Sequence, residues 1–323
     1  MACCMLQVMY QCLSSAFQAK RNENVMNRLL HTENTLRKSN RRSFLSKAAV
    51  LTGTGIASLN SLALSPLRFA STPVFLNDQV SLLDRWRRYL EAQIGRPVHF
   101  VQRASYREIV DLLLNGSVDA AWLCGYPLIL YENRLSVVAV PRYQGAALYK
   151  SHLIVPSSDT STKQVLDLKG RVFAYSDPFS NSGYLVPRAE IVLGGEKPPT
   201  FFRRSFFTFS HRKVVDAVRA GLADAGAVDG YVWDTIAAQF PGSVVGLRVA
   251  WRSAFHGFPP VVARRNWASD QARQLGDALL GMQSSLEGRS ILERLNIESF
   301  EDAQPRQYDS IRALLKLSNQ GAM

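Results

Sequence analysis

The chain has 323 residues, 47% of them hydrophobic and 20% charged, which excludes a disordered chain and is enough apolar material for the cores of two domains. Residues 1–63 hold eight Lys/Arg and two acids, so half of the formal net charge of +12 belongs to a leader and nucleic acid is not expected as a partner. Beyond that leader only Cys124 remains, which excludes an intramolecular disulfide and a cysteine-built metal centre.

The leader contains "NRRSFLSKAAVLTGTGIASLNSLA", in which Arg41 and Arg42 precede Phe44, Leu45 and a moderately apolar run diluted by Gly, Ser and Thr. This resembles a twin-arginine export signal, with Ser61-Leu62-Ala63 as small residues suited to cleavage. The run from Ala48 to Leu64 falls short of the ~20 apolar residues that span a bilayer. The expectation is therefore a twin-arginine translocase substrate, released as a soluble periplasmic protein. With no cysteine just after the signal, no lipid anchor is expected.

Strands are expected at Leu67 to Ala70 and Val98 to Gln102, followed by a helix with a capping box made by Ser105 and Glu108. Gly116 stops that helix, and a strand from Ala120 to Cys124 runs into Gly125-Tyr126. After a chain crossing, a second set begins with a strand at Arg171 to Tyr175. Next comes "SDPFSNSGYLVPRAEIVLGG", where Pro187 marks a first helical turn and Gly194-Gly195 the stop. A strand at Phe206 to Phe209, a helix capped by Ser210 and stopped by Gly221, and a strand at Ala225 to Val228 complete the set. A second crossing then returns the C-terminal helices to the first lobe.

The two sets repeat one another. Residues Ser105 to Tyr126 overlie Ser210 to Tyr231 at a constant offset of 105, with 9 of 22 positions identical and no gap. The fold expected is α/β, with two lobes, each a mostly parallel sheet flanked by helices, joined by a two-segment hinge that allows closure. Lobe 1 takes residues 64–148 and 254–323, and lobe 2 takes 149–253.

In such sheets ligands bind beyond the carboxyl ends of the strands. That edge gathers Tyr106 and Tyr126 from one lobe and Ser180 to Tyr184, His211, Asp229 and Tyr231 from the other. Near Ser180 the unpaired amides of a helix N-terminus, serine hydroxyls and the small Gly183 suit an oxyanion, although an ordinary N-cap uses the same residues. His211, at a helix N-terminus, is expected neutral, and Asp229 is expected to cap the following helix. Tyr106, Tyr126 and Tyr231 could close over a small ligand or serve as core. Cys124, at the position equivalent to Asp229, reads as a packed thiol. No metal-ligand spacing joins the histidines, and no cofactor motif is present.

Taken in order, "SYREIVDLLLNGSVDAAWLCG", "DLKGRVFA", "SDPFSNSGYLVP", "SHRKVVDAV" and "GLADAGAVDGY" resemble the phosphate, phosphite and phosphonate-binding periplasmic proteins of ABC importers. The resemblance runs from about Leu67 to Arg264. It implies a Venus-flytrap fold of type II and a monomeric, non-enzymatic solute-binding protein that delivers a small phosphorus oxyanion to an ABC permease. It also implies that Ser180, Asn181, Ser182, Gly183 and His211 hold the phosphoryl oxygens, with Tyr106, Tyr126 and Asp229 lining the cleft. Asn181 stands where the family often has a hydroxyl residue. Two other readings of the residues are an exported phosphoester hydrolase using His211 and Asp229, and a ligand-sensing partner of a membrane receptor.

Overall fold

The computed structural model describes residues 65–72, 80–304 and 306–320. The leader, with its twin-arginine signal, lies outside them. In chain order the elements are β1 (Leu67–Ser71), α1 (Val80–Ile94), β2 (Val98–Gln102), α2 (Tyr106–Leu114), β3 (Ala120–Trp122), α3 (Gly125–Leu130) and β4 (Leu135–Arg142). There follow β5 (Leu148–Tyr149), β6 (Ser151–Pro156), β7 (Val172–Tyr175), α4 (Val186–Leu193), α5 (Pro198–Phe201), β8 (Arg204–Phe207), α6 (His211–Arg219), β9 (Ala225–Asp229) and α7 (Gly230–Gln239). The chain closes with β10 (Leu247–Arg252), β11 (His256–Gly257), β12 (Val261–Arg264), α8 (Ser269–Leu280), α9 (Leu286–Leu295), β13 (Ser299–Glu301) and α10 (Asp309–Gln320).

Two sheets organise these elements, with strand orders β13-β4-β12-β3-β1-β2 and β10-β6-β9-β7-β8. Each has the same parallel centre: β1 lies between β2 and β3, and β7 between β8 and β9. The remaining pairings are antiparallel, β12 with β3 and β4, β13 with β4, β6 with β9, and β10 with β6. The sheets are thus mixed rather than mostly parallel. For β6 and β12 the physical reason lies in the crossings, since each arrives from the other sheet with no covering helix before it and enters in the reverse direction, whereas β13 enters after α9. Both crossings meet in a short ribbon of their own, where β5 pairs with β11.

The repeated motifs form as their residues require. Ser105 accepts from the Glu108 amide while Glu108 returns a bond to the Ser105 amide, the full capping box. Gly116 and Gly221 follow α2 and α6 at φ +82° and +71°, left-handed conformations that a Cβ disfavours. Ser210 differs from its expected role: it occupies the N-cap position of α6, but its hydroxyl makes no capping bond. The strand expected at Phe206 to Phe209 lies two residues earlier, because Phe209 adopts φ +57° and turns the chain into α6.

Separate apolar clusters hold the layers. Under the first sheet Phe69, Trp86, Trp122 and Phe300 form edge-on and stacked aromatic contacts with centroids 5.5 to 6.4 Å apart. On the second, Phe173 stacks on Phe202 at 4.4 Å and meets Tyr175 edge-on at 4.9 Å. Burial of each such ring contributes about 1.5 to 3 kcal/mol, so these clusters fix the sheets that carry the cleft. The last helix, α10, packs against both α3 and α4, spanning elements of both sheets.

Candidate ligand-binding cleft

The strands of each parallel centre end on the same region. In the first sheet β1 ends at Ser71-Thr72 and β3 leads to Cys124. In the second β7 leads to Ser176-Asp177 and β9 to Asp229. The turn Ser180 to Gly183 lies among these ends, with Ser180, Asn181 and Ser182 fully buried.

This turn is a widened helical entry. Asn181–Leu185 form one π-helical turn, with the Val186 amide donating to the Asn181 carbonyl, before α4 begins. Ser180 caps it by accepting from the Gly183 amide at 3.0 Å. Widened turns of this kind splay the first amides away from the helix axis and recur at binding sites. Gly183 is required sterically: a Cβ there would lie 1.9 Å from Ser176 Oγ.

Bonds run from the turn to the rest of the cleft. The Asn181 amide donates to Cys124 Sγ at 3.2 Å, Asn181 Nδ2 donates to the Tyr149 hydroxyl at 3.0 Å, and Ser151 Oγ donates to the Ser182 carbonyl at 2.7 Å. Asp177 joins the sheets in a second place. Its Oδ2 accepts from the Tyr106 amide at the start of α2, 3.1 Å away, while Oδ1 accepts from Phe179 N at 2.8 Å. A buried carboxylate on a helix N-terminus is favoured by the helix dipole. Around this latch Tyr126 faces the Phe179 ring at 6.4 Å, and Arg107 lies over the same ring at 5.6 Å.

Four buried side-chain atoms in this region have no hydrogen-bond partner among the described residues: Ser71 Oγ, Ser176 Oγ, Ser182 Oγ and Asn181 Oδ1. Orphaned buried polar atoms are costly and rare, and these four all belong to the strand ends or to the turn that follows one.

His211 and Asp229 are coupled through the main chain. His211 Nδ1 accepts from the Asp229 amide at 3.1 Å, which puts the imidazole proton on Nε2. Burial pushes His211 down to about 3, so the ring is a neutral, single-proton donor. Asp229 caps α7 as expected, Oδ1 accepting from Tyr231 N at 2.9 Å and Val232 N at 3.4 Å. Burial pushes its carboxyl up to about 7 against those amide bonds. The hydrolase reading needs the Asp229 carboxylate on the His211 ring. Here the ring nitrogen meets the Asp229 main chain instead, and Oδ1 is spent on the cap.

Not every expected residue faces the turn with its side chain. Tyr106 does belong there: burial raises its hydroxyl pKa, and Cys124, Asp177 and Asp229 nearby add to that rise. Tyr184 instead stacks its ring edge-on to Tyr175 at 5.2 Å and under the Arg188 guanidinium, leaving its main chain to the turn. Tyr231 is a core residue, its hydroxyl donating to the Leu295 carbonyl and its ring packed on Tyr143 and Phe258. Cys124 is a thiol, pushed up to about 11 by burial. Ser71, Tyr149, Ser151, Ser176 and Asp177 were missed by the sequence reading. The strand-end rule reaches Ser71, Ser176 and Asp177, whereas Tyr149 and Ser151 lie in a crossing without a local signal.

Two α/β halves with equivalent strand orders, joined by two crossings around a buried polar turn, define a two-lobed solute-binding architecture. The profile of the periplasmic substrate-binding proteins of phosphonate ABC transporters matches residues 69–308, and the chain belongs to that family. It is 26% identical over 291 residues to the phosphonates-binding periplasmic protein of Escherichia coli, covering 82% of this chain and 83% of that one. Its fold is similar to the binding protein of an ABC phosphonate transporter of Pseudomonas aeruginosa, with a TM-score of 0.73 and 22% identity over 80% of this chain and 87% of that one. PhnD1 of Prochlorococcus marinus, solved in complex with methylphosphonate, gives a TM-score of 0.71 at 20% identity, covering 79% and 98%. Its fold is thus a type II periplasmic-binding-protein fold. Among the described residues no helix is long and apolar enough to cross a membrane.

The buried histidines set the response to acid. His211, His152 and His256 are pushed down to about 3, 4 and 4 by burial, so the folded protein keeps them neutral while the unfolded chain protonates them near 6.5. Asp229, pushed up to about 7, opposes one of these protons, and Asp177 and Glu190, also raised, oppose less. The unfolded state therefore binds about one to two more protons near pH 5, and stability present at pH 7 is lost as pH falls below 6.5. Thermal midpoints measured at pH 7 and pH 5 should drop on acidification; an equal or higher midpoint at pH 5 would contradict the burial of these groups.

Proposed function

We propose that the protein captures a small phosphorus oxyanion, a phosphonate, phosphite or phosphate, between its lobes and delivers it to an ABC permease without turning it over. The observation that carries this reading is the buried Ser180 to Gly183 turn, with the unpartnered hydroxyls of Ser176 and Ser182 beside it. Ser176 Oγ and Ser182 Oγ, unpartnered while the Asn181 and Gly183 amides are spent on Cys124 Sγ and Ser180 Oγ, donate to the phosphoryl oxygens, and His211 donates from Nε2. Tyr106 and Tyr126 close the other side, and Asp177 holds the lobes together over the ligand. Tyr231 has no part in this set. The relative from E. coli, a phosphonates-binding periplasmic protein, supports the ligand class.

All these donors are neutral, so the oxyanion keeps its charge among oriented dipoles rather than against a lysine or arginine. Asp229 sets a limit. As pH rises through about 7 it ionises and repels the ligand, whereas an amino group on the ligand's far end would welcome it.

Calorimetric titration with methylphosphonate and inorganic phosphate tests the reading. Ser182→Ala and His211→Ala each remove a hydrogen bond to a charged group and should weaken binding by about 1.5 to 3 kcal/mol, roughly tenfold or more. Asp229→Asn, which can still cap α7, should abolish the weakening of binding between pH 6 and pH 8. Parent-like affinity in both Ser182→Ala and His211→Ala would reduce the turn to a helix cap.

Export by the twin-arginine translocase to the periplasm, as a free monomer without a lipid anchor, completes the proposal. The paired Arg41 and Arg42 ahead of a weakly apolar run support it. Cells carrying Arg41→Lys with Arg42→Lys should accumulate precursor in the cytoplasm, and normal export of that double variant would rule the signal out.

A further inference from the structure

At the opposite edge of the first sheet from the cleft lies a cavity of about 340 Å³ lined by Leu114, Asn133, Arg134, Arg264, Arg265 and Asn266. Its position follows from register. Arg264, the last residue of β12, pairs with Leu135, the first of β4, whereas the cleft lies where Ser71 and Trp122 pair at the ends of β1 and β3. Three guanidinium groups meet here, and no lining residue is acidic.

The nearby acids are committed elsewhere. Glu132 pairs with Arg312 at 2.8 Å, and Asp119 with Arg68 at 2.9 Å. Arg134 and Arg265 are held by main-chain carbonyls instead: Arg134 Nη2 donates to Leu114 O at 3.2 Å, and Arg265 Nη2 donates to Glu132 O and Leu135 O at 2.8 and 3.1 Å. Arg264 lies flat against Gly116, and its buried Nε has no partner among the described residues. Since each guanidinium carries five donors, most of them have no partner and no counter-charge among the described residues.

Capping of the α2 C-terminus accounts for Arg134, whose bond goes to Leu114 O. It does not account for three convergent cations with two flanking amide side chains around a concavity. We infer that this cavity is a second binding site, for a small oxyanion carrying several negative charges, a condensed phosphate or a polycarboxylate. Planar guanidinium forks pair bidentately with such groups, and Asn133 and Asn266 supply neutral donors at the rim. Its occupancy is independent of what the cleft binds.

Calorimetry with pyrophosphate and with citrate, each in the presence of saturating methylphosphonate, tests this. The parent should bind at least one probe at one site per chain. Arg134→Gln with Arg264→Gln should weaken that binding thirtyfold or more, by roughly the loss of two charge-assisted contacts. Asn133→Asp, at an exposed position that the fold does not need, should weaken it about threefold to tenfold by adding a negative charge. Circular-dichroism melting confirms that each variant is folded. Absence of binding by both probes up to about 10 mM, or equal affinity in the folded variants, would make the cluster a solvated cap and overturn the site.

Discussion

The cleft depends on the burial of one turn between two sheets. Ser180 to Gly183 belongs to the second lobe, yet its Asn181 amide ends on Cys124 of the first, and Asp177 just before it takes the Tyr106 amide of α2. These two bonds tie the carboxyl ends of both parallel centres to one short segment. A segment that must satisfy partners on both sides has little room for bulk. Gly183 against Ser176 and the widened turn that starts α4 are the outcome. The polar groups left over after those bonds are the ones that a ligand would satisfy.

Electrostatics follows from the same burial. Deep in the interface a fixed cation would need a fixed counter-charge, and the described cleft residues avoid the problem by being neutral donors. The imidazole of His211 is kept uncharged with its proton on a defined nitrogen, because the Asp229 amide occupies the other. The exceptions are two carboxyls held by main-chain amides: Asp177, on Tyr106 N and Phe179 N, and Asp229, on the first amides of α7 and still raised to about 7. The basic groups nearest it, Arg107 and Arg188, lie over the Phe179 and Tyr184 rings, and the arginines at the far edge of the first sheet form a separate cluster.

Much of this was legible in the sequence because duplication wrote it twice. The offset of 105 residues placed the capped helices, their glycine stops and the strands leading to Cys124 and Asp229. The cap of Asp229 follows from a local rule that the fold does not override, whereas the neutral state of His211, expected from its place at a helix N-terminus, comes from burial. Direction of pairing was not legible, since the antiparallel entries of β6 and β12 depend on where a crossing lands and not on any local pattern. Tyr231 misled for a related reason: it repeats Tyr126 in the alignment, but α9 supplies Leu295 O to its hydroxyl, and no equivalent bond links Tyr126 to the C-terminal helices among those described. Tyr149 and Ser151 were invisible because their roles arise only when the hinge ribbon brings them to Asn181 and Ser182.

The most direct measurement is a crystal structure of the protein grown with methylphosphonate, with the phosphorus located by its anomalous signal. The account predicts one phosphorus between the lobes, its oxygens within hydrogen-bond distance of Ser176 Oγ, Ser182 Oγ and His211 Nε2. Phosphorus bound elsewhere on the chain, with Ser182 and His211 making no contact to it, would contradict the account.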